Sequence, residues 1–263
     1  MHPLLVASRD FLAGISPPPT RWLVAVLKAF FDASRAQKGP PVFAVAGYIA
    51  PGYHWDQRFV PPWQRALKRE GLVPRPGYYH ATDAEWPFHG VYKELWGEDK
   101  RKAVAFKQKL VSIIEKAATF GVGAAILMEP PFETPSKAYE FCFHSCLQTL
   151  VDNRDSVPRE KAIMPVCEDG DHVTGAITKL CKELREVPRY ARLGPVAFGN
   201  KKQYPPLQSA DILAFEVQKR AAENCTNGPR RRKLASELVG RVSTEVWYYP
   251  PESLRQTLNE LMA

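Results

Sequence analysis

The first patterned stretch is an apolar run, Trp22-Leu-Val-Ala-Val-Leu-Lys-Ala-Phe-Phe31, that closes on Asp32. An apolar run of this kind suits a strand buried on both faces. Ala33-Ser-Arg-Ala-Gln-Lys-Gly-Pro40 is turn chemistry, and Val42-Phe-Ala-Val-Ala-Gly-Tyr-Ile-Ala50 predicts a second strand, so the two make a hairpin. Trp55, Phe59, Trp63 and Leu67 recur at helical spacing up to Glu70, and the Pro61-Pro62 pair must start or kink a helix there. Residues 71–98, with Tyr78-Tyr-His-Ala-Thr-Asp83 and Trp86-Pro-Phe88, are aromatic and irregular and predict a long insertion.

Lys100 to Lys116 predicts an amphipathic helix with Phe106, Leu110, Ile113, Ile114 and Ala117 on one face. Thr119 to Met128 predicts a third strand. Thr134 and Pro135 suit the N-cap and first position of a helix running to about Val151. Ala162 to Glu168 is a fourth strand, in which Pro165 favours an edge or a bulge. Val173, Ile177, Leu180, Cys181 and Leu184 mark another helix, Leu193 to Phe198 a short fifth strand, and Pro205 to Lys219 a helix opened by proline. Beyond Asn224 come Arg230-Arg-Arg-Lys233, a strand-like Val246-Trp-Tyr-Tyr249, and a short helix over Leu254, Leu258 and Leu261. A hairpin followed by strand–helix alternation predicts a mixed α/β domain. The expected division is a loosely attached arm over 1–20, one domain over 21–224 with the insertion at about 71–98, and a basic and helical extension over 225–263.

Composition narrows the class. Apolar residues at 45% and charged residues at 24% are ordinary globular values and exclude a fibrous or wholly disordered chain. The net charge of +8 makes a polyanionic partner plausible, with nucleic acid the expected one. Residues 1–10 lack a basic leader and their apolar run stops at Ser8; Lys28 breaks the most apolar stretch, which is too short to span a bilayer. The five cysteines, Cys142, Cys146, Cys167, Cys181 and Cys225, have no framework spacing, so the expectation is reduced thiols in a cytoplasmic protein without membrane attachment. Cys142 and Cys146, with His144 between them, lack a second Cys/His pair that would complete a tetrahedral metal site.

The chain contains no Walker loop, GxGxxG, HExxH or GxSxG, so nucleophile-based hydrolysis has no motif. Carboxylates stand instead where they cost stability. Asp32 ends the first apolar strand, Glu168 ends the fourth beside Asp169 and Asp171, and Asp211 sits inside Ala210-Asp-Ile-Leu-Ala-Phe215. A buried carboxylate needs a cation, hydrogen bonds or solvent. Ligands of open α/β sheets gather at carboxyl ends of strands, where Asp32 and Glu168 fall, and Gln208 and Asp211 share a helix face that would point there. Converging carboxylates suit Mg²⁺ or Mn²⁺, and two such ions would activate a water and neutralise the leaving oxygen of a phosphodiester.

Each acid also has an ordinary explanation. A strand-end Asp is commonly a turn or cap residue, Asp171 would cap the next helix, and Asp211 would pair with Lys201, Lys202 or Arg220. His80, Thr82 and Asp83 would line the same cleft or serve as loop residues. Arg230 to Lys233 would hold phosphate or be a solvated face. Trp55, Trp63, Trp86 and Phe88 would stack on bases, although helical spacing makes the first two core residues.

Phe31-Asp-Ala-Ser34, Val45-Ala-Gly-Tyr-Ile-Ala-Pro51, Trp55 with Trp63, His80-Ala-Thr-Asp83, Glu168 and Pro206-Leu-Gln-Ser-Ala-Asp-Ile-Leu-Ala214 resemble the domain of unknown function 3800 family over about residues 22 to 220. The resemblance implies a ribonuclease H-like fold, here a mixed five-stranded sheet flanked by helices with an aromatic insertion and a C-terminal extension. It implies Asp32, Glu168 and Asp211 as catalytic metal ligands and Gln208 as an accessory polar residue, with His80 and Asp83 in a motif of unsettled role. Many members read Asp-Glu-Ser-Gly where this chain has Asp32-Ala-Ser-Arg35, so one acid is missing and Arg35 brings a positive charge to the site. The resulting expectation is a Mg²⁺- or Mn²⁺-dependent nuclease, with Arg35, His80, Asp83, Lys201, Lys202 and Gln208 on the substrate side. The alternative is a non-catalytic nucleic-acid or protein-binding module in which Arg35 occupies the metal position. A small nucleotide or phosphoester hydrolase would share the metal site without needing a basic groove.

Overall fold

The computed structural model describes residues 26–36, 40–153, 155–158, 161–170, 173–227 and 240–249. The arm over 1–20, Arg230 to Lys233, Asp171 and the helix expected over Leu254, Leu258 and Leu261 lie outside the described residues.

The hairpin forms as its pattern predicts. Strand β1 (Leu27–Arg35) pairs antiparallel with β2 (Val42–Pro51), from Leu27 opposite Pro51 to Arg35 opposite Phe43. Strand β3 (Phe120–Leu127) continues antiparallel from β2, while β4 (Ile163–Glu168) runs parallel to the other side of β1 and β5 (Ala197–Gly199) parallel to β4. The sheet expected to have five strands has six: β6 (Thr244–Tyr249), the strand-like segment of the C-terminal stretch, adds in parallel to β3, giving the order β5-β4-β1-β2-β3-β6. The protein is therefore α/β, a mixed sheet flanked by helices.

Pro165 does not lie on an edge strand, because β4 runs between β1 and β5. Ile163 directs both its N–H and its C=O away from β1, to Arg192 and Gly194. Two residues on, the missing N–H of Pro165 faces the same way, into the gap between the isolated Ile163–Leu193 bridge and the start of β5 at Ala197, so no ladder bond is lost. That gap is also why β5 begins at Ala197 instead of Leu193.

Alternation along the strands builds two cores. Leu27, Ala29, Phe31, Ile163 and Cys167 face one side, packed with Tyr139, Cys142, Phe143, Cys146 and Leu147 of a helix over Pro135–Asp152 and with Ile177 and Cys181 of another over Thr174–Arg185. Thr134 caps the first of these by accepting the N–H of Lys137. Phe30, Met164 and Val166 face the other side, under three helices: α1 (Val60–Arg69), α3 (Lys100–Ala117) and α6 (Pro205–Asn227). In chain order α2 is Gly90–Trp96, and the two helices first named are α4 (Pro135–Asp152) and α5 (Thr174–Arg185). The Pro61-Pro62 pair occupies the first turn of α1, where missing N–H groups cost nothing, and a π-helical turn over His54–Phe59 precedes it.

The insertion is more ordered than its irregular sequence predicts, because α2 lies inside it. Tyr79, Phe88, Tyr92 and Trp96 are buried in one cluster with Phe106, so its aromatic content extends the core on the α6 side of the sheet. Trp55 and Trp63 are fully buried core residues and Phe88 is nearly so, which removes three of the four proposed stacking aromatics. Trp86 remains 43% exposed, with the Lys100 ammonium 4.2 Å above its ring.

Candidate functional site

The β1–β4 register places Phe31 opposite Cys167, so the next residues, Asp32 and Glu168, stand level at the carboxyl ends of neighbouring strands. Both continue the alternation of Phe30 and Val166, and so point to the side that α6 covers. Asp211, in the second turn of α6, reaches the same point. The three acids expected from the sequence thus come together from three elements.

What they surround is an ammonium. Lys201 Nζ lies 2.9 Å from Asp32 Oδ2, 3.0 Å from Glu168 Oε2 and 3.1 Å from Asp211 Oδ1. Of the three partners expected for Asp211, Lys201 is the one it ion-pairs with. Lys201, Asp32 and Asp211 are buried, while about a third of the Glu168 side chain is open to solvent, so the cluster communicates with water along Glu168. Arg35 is exposed at the end of β1. The central cationic position that the non-catalytic reading gave to Arg35 is held by Lys201, because the strand carries Arg35 three residues past Asp32 to the sheet margin.

Local structure fixes the lysine backbone. Between β5 and α6, Asn200 Oδ1 accepts the N–H groups of Lys202 and Gln203 while its C=O accepts that of Tyr204, a side-chain-supported turn that sets the direction of Lys201. The Lys201 carbonyl accepts Gln208 Nε2 at 2.7 Å. Gln208 is fully buried, and its Oε1 accepts Trp63 Nε1 at 2.7 Å and the Tyr79 N–H at 2.8 Å. It therefore ties α1, the insertion and the lysine turn together and does not face the cleft. Asp211 Oδ2 accepts the Ala81 N–H at 2.7 Å, a second pin on the insertion.

His80 and Asp83 pair at 2.8 Å through Nδ1 and Oδ2, and the His80 N–H donates to the Tyr92 hydroxyl. Each is partly open, and adjacency to Ala81 places them at the rim of the cluster. Lys202, exposed, stands with its ammonium 5.5 Å over the Tyr78 ring. The structure thus gathers Asp32, Glu168, Asp211 and Lys201 at the centre, sets His80, Asp83 and Lys202 around it and Arg35 at the end of β1, and turns Gln208 inward. Sequence reasoning missed Tyr78 and the Ala81 N–H; the Asn200-Lys201-Lys202 turn before Pro205 was the available signal for the lysine's placement.

Crowding of like charges sets the protonation. Burial, together with the charge and hydrogen bond of Asp32, pushes Glu168 up to about 8, with Lys201 opposing. Burial raises Asp211 to about 6 against the attraction of Lys201. Burial alone would lower Lys201, but the charges of Asp32, Asp211 and Glu168 hold it well above its ordinary value, so it is an ammonium throughout the neutral range.

The donor chemistry fits a divalent ion. Three hard carboxylates face one ammonium, which leaves two negative charges when all are ionised, and buried Asp32 Oδ2 has no well-directed hydrogen bond despite its ion pair. Their present arrangement is around Lys201. Among the described residues no group of three or more His, Cys, Asp or Glu side chains is arranged to hold a metal.

No protein-family model matches the chain, and no curated protein matches it in sequence. Solved structures align with most of the chain at low TM-scores. A chain of the PCNA:RNase HII complex from Archaeoglobus fulgidus is 14% identical with a TM-score of 0.37, covering 82% of this chain and 87% of that one. The ribonuclease H2 from Pyrococcus horikoshii OT3 is 11% identical at TM-score 0.37, covering 80% and 85%. Bst-RNase HIII in complex with Mn²⁺ is 12% identical at TM-score 0.38, covering 90% and 71%.

Proposed function

We propose that the protein is a metal-dependent phosphodiesterase of nucleic acid, a cytoplasmic enzyme of the domain of unknown function 3800 kind on a ribonuclease H-like sheet. The observation that carries this reading is the convergence of Asp32, Glu168 and Asp211, from β1, β4 and α6, within 3.1 Å of one point. Three carboxylates this close repel one another, a cost that the single Lys201 ammonium offsets only in part and that a functional role would account for. Asp32, Glu168 and Asp211 would hold Mg²⁺ or Mn²⁺, which supplies Lewis-acid stabilisation of charge on a phosphoryl oxygen. Glu168, the acid most open to solvent, marks the side from which water and substrate reach the site. Lys202 and Arg35 give cationic contacts for the phosphate backbone, Tyr78 a ring for a base, and His80, oriented by Asp83, a hydrogen-bonding group at the rim. No helix among the described residues is long and apolar enough to cross a membrane.

The test is cleavage of labelled single- and double-stranded RNA and DNA with Mg²⁺ or Mn²⁺, comparing wild type with Asp32→Ala and Asp211→Asn. Cleavage lost in both folded variants supports the enzyme and identifies the substrate. Absent cleavage in wild type, or equal cleavage in all three, favours the second reading, a non-catalytic binding module. The ion pairing of all three acids to Lys201 is the observation on that side.

A further inference from the structure

The centre of the acid cluster is filled, and by a residue of the chain itself. Lys201 Nζ stands at ion-pair distance from all three carboxylates, in a buried position. A divalent ion bound by the same oxygens would need the same point, since oxygen ligands lie about 2.0–2.6 Å from Mg²⁺ or Ca²⁺, closer than the ammonium now stands. Two cations at one point would repel strongly in a poorly solvated cluster. The lysine and the metal are therefore alternatives.

We propose that Lys201 is a resident cation that closes the site in the metal-free protein, and that a divalent ion binds by displacing its ammonium from Asp32, Glu168 and Asp211. The inference rests on the reading of those acids as metal ligands. Its local structure suits a side chain that moves on a fixed backbone. The Asn200 turn and the Gln208–Lys201 hydrogen bond hold the main chain, and four methylenes give the ammonium reach. The opening beside the partly exposed Glu168 gives it a way out. With Lys201 in place one charge is compensated; with a divalent ion two are, so the exchange favours the metal when the acids are all ionised.

Calorimetric titration with Mn²⁺ alone, without substrate, tests this on wild type, Lys201→Met and Lys201→Gln. The expected result is one Mn²⁺ bound at least about tenfold more tightly by each variant than by wild type, a gain that adding Asp211→Asn removes. Equal Mn²⁺ affinity in wild type and variants overturns the resident-cation inference and leaves the acids as metal ligands. No Mn²⁺ binding by any folded form, variants included, overturns both this inference and the metal-dependent reading. If neither variant folds, the wild-type protein decides. The Lys201 ammonium ¹⁵N signal, protected by its three carboxylates, must shift or vanish as Mg²⁺ saturates the site; an unchanged signal with Mg²⁺ bound overturns the inference.

Discussion

Asp211 divides its carboxylate between two tasks: Oδ2 accepts the Ala81 N–H at 2.7 Å, and Oδ1 faces the Lys201 ammonium at 3.1 Å. One side chain thereby joins the aromatic insertion to the acid cluster. Asp211→Asn keeps an oxygen for Ala81 but loses the charge, whereas Asp211→Ala loses both. The Ala variant should be less stable than the Asn variant by about 1–3 kcal/mol, the cost of leaving a buried N–H unpaired. Urea unfolding of the pair measures that difference, and cleavage should be absent in both. Equal stabilities would show that the Ala81 contact does not hold the insertion.

Gln208 bears a comparable load without any charge. Gln208→Leu is close in size but leaves Trp63 Nε1, the Tyr79 N–H and the Lys201 carbonyl without their partner. Each unpaired buried group costs about 1–3 kcal/mol, so a thermal unfolding midpoint well below wild type is expected. Limited proteolysis should cut first within 71–98, because the Tyr79 N–H, together with that of Ala81, pins that insertion to α6. A Gln208→Leu protein as stable as wild type would contradict this account.

Much of this architecture was legible from local pattern. The hairpin, α3, α4 with its Thr134 cap, and the strand-end placement of Asp32 and Glu168 follow from apolar periodicity and turn residues alone. Features set by long-range pairing were not. The partnership of β6 with β3 depends on a register that no local signal carries, and Pro165 is tolerated only because of a gap opposite it. Lys201 was legible as one candidate partner of Asp211, but its place between three carboxylates depends on contacts that no local pattern carries. Ala81 contributes a backbone N–H, which has no side-chain signature at all.

The protonation of the acids makes metal-free stability depend on pH in a defined direction. Glu168 titrates near 8 and Asp211 near 6 in the folded protein, both above the ordinary carboxylate range they return to on unfolding. Between about pH 4.5 and 8 the folded state therefore binds more protons than the unfolded state, and stability falls as pH rises through that window. Unfolding midpoints taken with chelator present from pH 5 to 8 should decline, and Glu168→Gln should flatten the upper part of the curve. A midpoint that rises across this window would refute the assignment.

Gly199, the last residue of β5, is overlaid by the Tyr204 ring so closely that an added Cβ would stand 2.3 Å from Cδ2. Gly199→Ala must displace Tyr204, and with it the Asn200–Tyr204 turn that aims Lys201. A loss of about 1–3 kcal/mol is expected. Gly175, in the first turn of α5 with nothing within 4 Å of its Cβ position, is the control. Gly175→Ala should leave stability unchanged or raise it by up to about 1 kcal/mol. Chemical denaturation of the two variants reads the contrast, and a Gly199→Ala variant as stable as the control would mean that the ring yields freely.

Under the proposed function, Lys202 and Tyr78 would guide nucleic acid to the cluster, since the exposed ammonium lies over the ring beside the pinned backbone of the insertion. If Lys202 neutralises one phosphate, Lys202→Ala should weaken binding to every sequence alike and lower the slope of log affinity against log salt by about 0.7–0.9. Tyr78→Ala should leave that slope unchanged while weakening single-stranded ligands by about 1–3 kcal/mol, the worth of one stacked base. Fluorescence anisotropy across a salt series separates the two effects. An unaltered slope for Lys202→Ala would place the phosphate path on another face of the protein.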